Sequence, residues 1–430
     1  MPRAPQSAGS RDENQSAQLT GPCCHGQRPG IVVAMQLRAV VVGASLAGLR
    51  AAEALRRGGH DGPLTIVGAE NHRPYDRPPL SKQILTGKIE PGQADLHIEE
   101  GFEADWALGV AATGLDVERG RVELTGGEDL AYDRLVIATG AHPRVLPMAP
   151  AGPGVHYLRT VDDATALRDD LAGARHVVVI GAGFIGLEVA ASAHQRGLQV
   201  SVLEALPVPL ERAIGAEMGA ALARWHRAHG IDLRVGVGVE AVEGSGRPEG
   251  VRLSDGTVVP ADVVVVGVGV SPTTGWLEGS GVDLDDGVAC DESLRVLVRG
   301  RPVPDVVAAG DVARWAHGGY GRRVRLEHWT NAAEQGEAAG HTLITGDASP
   351  AYRPTPYFWS DQHGVKIQFV GQTDPGDEVA LVEGSFDDSR LVAAYGRNGK
   401  LVAALGMRRP ARIMALQALI EQDAPFPPPE

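Results

Sequence analysis

The segment Val177-Val178-Val179-Ile180-Gly181-Ala182-Gly183-Phe184-Ile185-Gly186-Leu187-Glu188 constrains this chain more than any other. A run of β-branched residues ends in a complete G-x-G-x-x-G that opens an Ala- and Leu-rich helical stretch, and that strand–turn–helix context gives the motif its meaning. Gly181 permits the tight turn, Gly183 lets backbone approach a pyrophosphate, and Gly186 lets the helix pack closely on the sheet, with the helix N-terminus facing the anion. Glu204 ends the next strand, Gln199 to Leu203. A carboxylate there accepts hydrogen bonds from both ribose hydroxyls of NAD and repels the extra phosphate of NADP. Gly181, Gly183, Ile185, Gly186 and Glu204 are therefore the candidate NAD set.

The pattern occurs twice. Arg38 to Val42 with Ala47 to Arg57 repeats as His176 to Ile180 with Ile185 to Arg196, and two mononucleotide-binding units imply two nucleotides. The first unit reads Val40-Val41-Val42-Gly43-Ala44-Ser45-Leu46-Ala47-Gly48, with Ser45 in the second glycine position. A small residue still permits close approach and offers a hydroxyl to phosphate, and Glu70, after the strand Leu64 to Val67, supplies a ribose acceptor. Short Val/Ile runs followed by Gly-rich turns and helical stretches continue beyond both units, as an α/β parallel sheet requires.

A chain of 430 residues holds two or three domains. It contains no apolar run of the roughly 20 residues a membrane span needs, and a formal charge of −14 argues against nucleic acid and anionic lipid as partners. Cys23 and Cys24 are adjacent, Cys290 is alone, and no Cys-x-x-Cys offers a redox dithiol or half a zinc site, which fits a reducing, cytoplasmic compartment. Residues 1–35, rich in Ser, Gln, Gly and Pro, read as a disordered tail, with Met35 an alternative start.

Four further segments carry a resemblance: Arg73-Pro74-Tyr75-Asp76-Arg77-Pro78-Pro79-Leu80-Ser81-Lys82, Tyr157-Leu158-Arg159-Thr160, Glu327-His328-Trp329-Thr330-Asn331-Ala332 and Phe358-Trp359-Ser360-Asp361-Gln362. With the two cradles they make the chain, from about residue 38 to 420, resemble the two-dinucleotide flavoprotein reductases, and more narrowly the ferredoxin reductases of bacterial oxygenase systems. The resemblance implies two doubly wound Rossmann-like domains plus a C-terminal α+β domain. FAD would be held by residues 36–146 and 268–345, NADH by 147–267, and the last domain would span 346–430. It also implies that Gly43, Ser45, Ala47, Gly48, Glu70, Arg77 and Ala112 contact FAD, together with Thr139, Gly140 and Arg159. Gly310 and Asp311 belong to the second flavin signature, with Asp311 on the ribityl hydroxyls, while Lys82 lies beside the isoalloxazine and Trp329 near it. The disulfide reductases of this superfamily place a cysteine pair near the first FAD helix; residues 49–82 contain none, so dithiol chemistry is excluded.

The activity implied is hydride transfer from NADH to FAD, then single-electron transfers to a [2Fe-2S] ferredoxin that feeds a monooxygenase or dioxygenase, by a monomer or weak homodimer. Lys82 would stabilise the reduced ring with Glu188 as its counter-charge, although an acid in the first turn of a helix also serves the helix dipole. His328 reads as a proton donor, or as packing or a hydrogen-bond anchor, Trp359 as an electron exit or as core, and Cys290 as an inert buried thiol. The rival readings are a rubredoxin reductase, an NADH oxidase-type flavoprotein, or a signalling flavoprotein resembling apoptosis-inducing factor. Three arginines against Asp12 and Glu13 leave the tail at +1 and the body at −15, so docking an acidic ferredoxin requires a local basic patch. Arg322, Arg323 and Arg325, or Arg408, Arg409 and Arg412, are the two candidates.

Overall fold

The computed structural model describes residues 36–428; the tail with Cys23, Cys24 and Met35 lies outside the described residues. The strand Ala39–Val42 is buried along its whole length between the parallel strands Leu64–Gly68 and Arg134–Ile137. An uninterrupted apolar run is what a strand covered on both faces demands. Asp105–Leu108 extends the parallel sheet on one side and Arg301–Ala308 on the other, and four further short strands bring it to nine. On one face the helices Leu46–Arg57 and Trp329–Thr345 cross closely. Glycine sets that approach: a Cβ on Gly336 would stand 2.3 Å from the Ala47 carbonyl oxygen, and one on Gly340 2.5 Å from that of Ala51. The opposite face is covered by a three-stranded antiparallel sheet, Ala112–Asp116, Arg121–Leu124 and Asp129–Ala131, through Leu115, Val122 and Leu124.

The second unit repeats this plan. Its five parallel strands run in the order Asp232–Val235, Gln199–Glu204, His176–Ile180, Val263–Val266, Val155–Tyr157. Side chains alternate across a strand, so Val177 and Val179 pack with the helices Val161–Gly173, Phe184–Gln195 and Glu211–Ala228. Val178 and Ile180 pack with the antiparallel strands Val239–Glu243, Gly250–Leu253 and Val258–Pro260. Each of these side chains, fully buried, contributes about 1.5–3 kcal/mol. In both units, then, helices cover one face, and the crossover from an edge strand, Asp105–Leu108 or Asp232–Val235, to the returning strand, Arg134–Ile137 or Val263–Val266, is a three-stranded meander on the other. The chain passes out of the first sheet through Ala141–Pro143 and returns through Val270–Pro272, and these two segments pair as an antiparallel ribbon.

The C-terminal part is an antiparallel five-stranded sheet, Tyr357–Gln362, Val365–Gly371, Lys400–Met407, Arg390–Arg397, Glu378–Ser385, with the helix Pro410–Glu421 on one face through Ile413 and Leu416. Its other face, with Ile367, Phe369, Tyr395 and Leu405, joins the core of the second unit. Tyr395 donates to the Ile214 carbonyl at 2.8 Å, and the Trp225 indole N–H to Ser389 at 2.8 Å. Among the described residues no helix is long and apolar enough to cross a membrane. Cys290 is buried in the first core, where burial pushes its thiol well above the ordinary value.

Candidate active site

Each parallel sheet ends in a glycine cradle. Gly43 has φ +124°, and a Cβ there would sit 2.0 Å from the Ala138 carbonyl oxygen, so no side chain fits. Gly48, one turn into the following helix, would clash with the Gly43 carbonyl at 1.8 Å. Ser45 caps this helix without a side-chain bond to it, so its hydroxyl is not committed to the helix end. The second cradle repeats the geometry: Gly181 has φ +101°, Gly186 would meet the Gly181 carbonyl at 2.3 Å, and Gly183 is the helix N-cap. Glu204 turns back into this cradle and accepts from the backbone N–H of Ala182 at 2.7 Å and of Leu206 at 2.8 Å. Each carboxylate oxygen retains a second lone pair.

Between the cradles lies a cleft of ≈480 Å³, adjoining a recess of ≈150 Å³. Ser45, Ala47, Glu70, Arg77, Lys82, Thr139 and Gly140 line the cleft, as do Arg159, Ile185, Glu188, Gly310, Asp311 and Trp329. Gly43 and Ala112 line the recess, which shares Ser45, Glu70, Tyr75 and Arg77 with the cleft. Gly48, Gly181, Gly183, Gly186 and Glu204 line neither; they build the turns and helix contacts behind.

One wall is a network of charge. Glu70 accepts from the Tyr75 hydroxyl and from Arg77 at 2.6 Å, and Arg77 also donates to the Arg159 carbonyl. The Tyr75 hydroxyl accepts from the Val161 N–H at 3.0 Å, and burial raises its ionisation far above the ordinary phenol value. Arg159 in turn donates to Asp311 at 2.8 Å. Gly310, at φ +78°, lets the Asp311 turn press against Ala47, where a Cβ would come within 2.9 Å.

The opposite wall carries the ion pair Lys82–Glu188 at 2.7 Å, with side chains 11% and 5% exposed. Lys82 also donates to the Pro78 carbonyl at 3.1 Å, and Glu188 accepts from the hydroxyls of Ser81 and Ser360. Glu188 is thus engaged by Lys82, and Lys82 is largely buried. At the rim the Trp329 indole N–H donates to Asp76 at 2.6 Å, and burial pushes the Asp76 carboxyl up. Trp359 meets Trp329 edge-on at 5.8 Å and is only partly buried, so it is not core. His328 packs on Phe358 at 4.8 Å and lines the cleft, half-buried, and desolvation pushes its imidazole down to about 4. Ile185 and Trp329 stay exposed at 42% and 36%, apolar surface turned to the cleft.

The arginine clusters are not free basic patches. Arg322 pairs with Asp374 at 2.9 Å, Arg325 with Glu327 at 2.7 Å and Asp286 at 3.2 Å, and Arg409 with Glu383 at 2.9 Å, to which Arg412 also pairs at 3.5 Å. Among the described residues, Arg323 and Arg408 are the two of the six that are exposed and have no ion pair. Apart from Glu327, the acids fold onto the arginines from distant parts of the sequence, which a reading of local sequence does not see. Sequence reasoning gave no role to Asp76, Ser81, Ser360 or Gln362, although all four fall inside the family segments. His226, behind Gln362, carried no signal at all.

Residues 37–336 match the model of the pyridine nucleotide-disulphide oxidoreductase family, and residues 357–430 that of a reductase C-terminal domain. Rhodocoxin reductase of Rhodococcus erythropolis is 37% identical over 394 residues, 90% of each chain. The ferredoxin–NAD(+) reductase component of the anthranilate 1,2-dioxygenase system of Burkholderia cepacia is 36% identical over 399 residues, 91% of this chain and 95% of the relative. The crystal structure of a covalent putidaredoxin reductase–putidaredoxin complex matches with a TM-score of 0.85 and 32% identity, covering 90% of this chain and 94% of that one.

Proposed function

The chain belongs to the pyridine nucleotide-disulphide oxidoreductase family, and we propose that within it the protein is an NADH-dependent, FAD-containing reductase of a [2Fe-2S] ferredoxin that serves an oxygenase. One observation carries the reading: a single cleft is lined by Ser45 and Ala47 of the first cradle and by Ile185 from the helix that opens at the second, and its wall holds a buried lysine–glutamate pair and no cysteine. The residues fit FAD on their own terms. The first cradle excludes any side chain at Gly43 and Gly48, a narrow recess continues from it past Ala112, and the charged wall ends at Asp311.

FAD, when bound, supplies the exchange between a two-electron hydride and single electrons. The chain's residues do the rest. In this reading Ser45 and the amides of the first cradle bind the pyrophosphate, Glu70 accepts from the adenosine ribose while Arg77 and Tyr75 hold its carboxylate still, and Asp311 accepts from the ribityl chain, steadied by Arg159. Lys82 sets positive charge beside the ring, and Glu188 moderates it. The second cradle binds NADH, with Glu204 selecting it over NADPH, and Ile185 offers an apolar face to the nicotinamide. The flavin domain then comprises residues 36–146 and 268–345, the NADH domain 147–267 and the C-terminal domain 346–430, in a cytoplasmic enzyme. Rigid nucleotide domains that fix two rings in one cleft accomplish hydride transfer by proximity, without an acid or base from the protein.

The test is turnover with purified acceptors. NADH should reduce a [2Fe-2S] ferredoxin at least tenfold faster, by kcat/KM, than it reduces rubredoxin or oxygen. Equal or faster rates with either of those would overturn the reading in favour of the corresponding reductase or oxidase.

A further inference from the structure

Behind Glu188 runs a line of buried polar side chains that hydride transfer does not require. Ser360 and Gln362 face inward from the strand Tyr357–Gln362, and His226 comes from the helix Glu211–Ala228; all three are fully buried. Glu188 Oε1 accepts from Ser360, the Gln362 amide lies 2.9 Å from Ser360 Oγ, Gln362 Oε1 lies 2.8 Å from His226 Nε2, and His226 Nδ1 lies 3.0 Å from His363 Nε2. The line thus connects the cleft to a histidine cluster in which His363 stacks on His229 at 4.5 Å and meets Trp225 at 5.1 Å.

The direction of every bond in this line follows from its first member. A carboxylate paired with Lys82 only accepts, so the Ser360 proton is committed to Glu188. Ser360 Oγ must then accept from the Gln362 amide N–H, which leaves Gln362 Oε1 to accept from His226 Nε2–H. His226 Nδ1 is therefore the unprotonated nitrogen and accepts from His363 Nε2–H. Burial, which holds His226 down to about 4 and His363 to about 3, keeps both rings in the neutral state this order needs. A carboxamide passes a proton only by becoming an imidic acid, so the line orients and does not conduct. Removing one member leaves a buried donor or acceptor unpaired, and the groups nearer the cleft become free to turn.

We propose that His226, acting through Gln362 and Ser360, is a positioning residue that holds the Glu188 carboxylate on Lys82 and so sets how much positive charge Lys82 presents to the flavin. The inference rests on the placement of FAD given above. It also gives the C-terminal domain a part in the chemistry, because Ser360, held by Gln362, comes from that domain and reaches Glu188 in the nucleotide domain.

Two measurements on the full-length protein test it. In protein with ¹⁵N-labelled histidine, long-range ¹H–¹⁵N correlation should show His226 neutral and protonated on Nε2; a proton on Nδ1 would overturn the proposed order. The second is an equilibrium redox titration of bound FAD in His226→Phe, Gln362→Leu and His226→Gln. The first two should raise the proportion of reduced flavin at fixed poise about tenfold, a rise of about 30 mV for a two-electron couple, because Lys82 loses a well-placed counter-charge. His226→Gln, which keeps a donor toward Gln362, should stay within threefold of wild type. The proposal fails if His226→Phe and Gln362→Leu bind FAD with unchanged potential while Lys82→Met shifts it. If Lys82→Met leaves the potential unchanged as well, the placement of the flavin beside Lys82 is what has failed.

Discussion

Removing one member of the Lys82–Glu188 pair should cost far more than removing both. The two side chains are 11% and 5% exposed and 2.7 Å apart, so each charge depends on the other in place of water. In Lys82→Met the Glu188 carboxylate stays buried with only the Ser81 and Ser360 hydroxyls as donors, and breaking a buried pair in this way costs about 3–5 kcal/mol. Glu188→Gln leaves an ammonium bonded to the Pro78 carbonyl at a somewhat wetter position, so about 2–3 kcal/mol is expected. In the double variant Met fills the lysine stem and Gln still meets both serines, and replacing a buried ion pair by neutral groups of like volume is close to neutral. It should lie within about 1 kcal/mol of wild type, a coupling of at least ~4 kcal/mol. Urea unfolding of all four proteins, with and without FAD, measures this; the flavin-free series removes the mass-action contribution of the ligand. Additive losses, or single variants within about 1 kcal/mol of wild type, would refute the view that this is a mutually dependent buried pair.

Glu204→Ala should narrow the NADH-over-NADPH preference in kcat/KM at least tenfold and destabilise the protein by about 2–4 kcal/mol, since the N–H groups of Ala182 and Leu206 lose a charged acceptor; an unchanged ratio refutes the ribose role. Asp311→Ala should purify largely without FAD, read by flavin absorbance per protein, because it leaves Arg159 uncompensated as well as removing an acceptor; a full flavin complement with unchanged affinity would show the role to be wrong. His226, depressed to about 4 in the folded state against ~6.5 unfolded, contributes stability present above pH ~6.5 and lost as pH falls toward 4, with a slope approaching ~1.4 kcal/mol per pH unit. His328 and His363, held down to about 4 and about 3, contribute over the same window. His226→Phe should therefore lower the slope of unfolding free energy against pH there without abolishing it, and an unchanged slope would exclude a contribution from His226.

The parts of this molecule legible in its sequence are those where physics acts on neighbours in the chain. A strand buried on both faces must be apolar throughout, and a turn in which a Cβ would lie 2.0–2.4 Å from a carbonyl oxygen must be glycine, so Ala39–Val42, His176–Ile180, Gly43 and Gly181 stand out before any coordinates exist. Ion pairs between distant segments leave no such mark. Arg322, Arg325 and Arg409 looked like unbalanced charge because Asp374, Asp286 and Glu383 lie 52, 39 and 26 residues away and only the fold pairs them. The polar line behind Glu188 is the extreme case, since it joins residues 188, 360, 362, 226 and 363 from three separate elements and the turn after one of them. Alone, each reads as an ordinary polar residue; together they fix the tautomer of His226 and the orientation of Glu188. Sequence can therefore announce where a nucleotide is cradled, because a cradle is local. What tunes the chemistry in the cleft is decided by three elements meeting in a place where water cannot follow, and the backbone must fold before that interaction exists to be read.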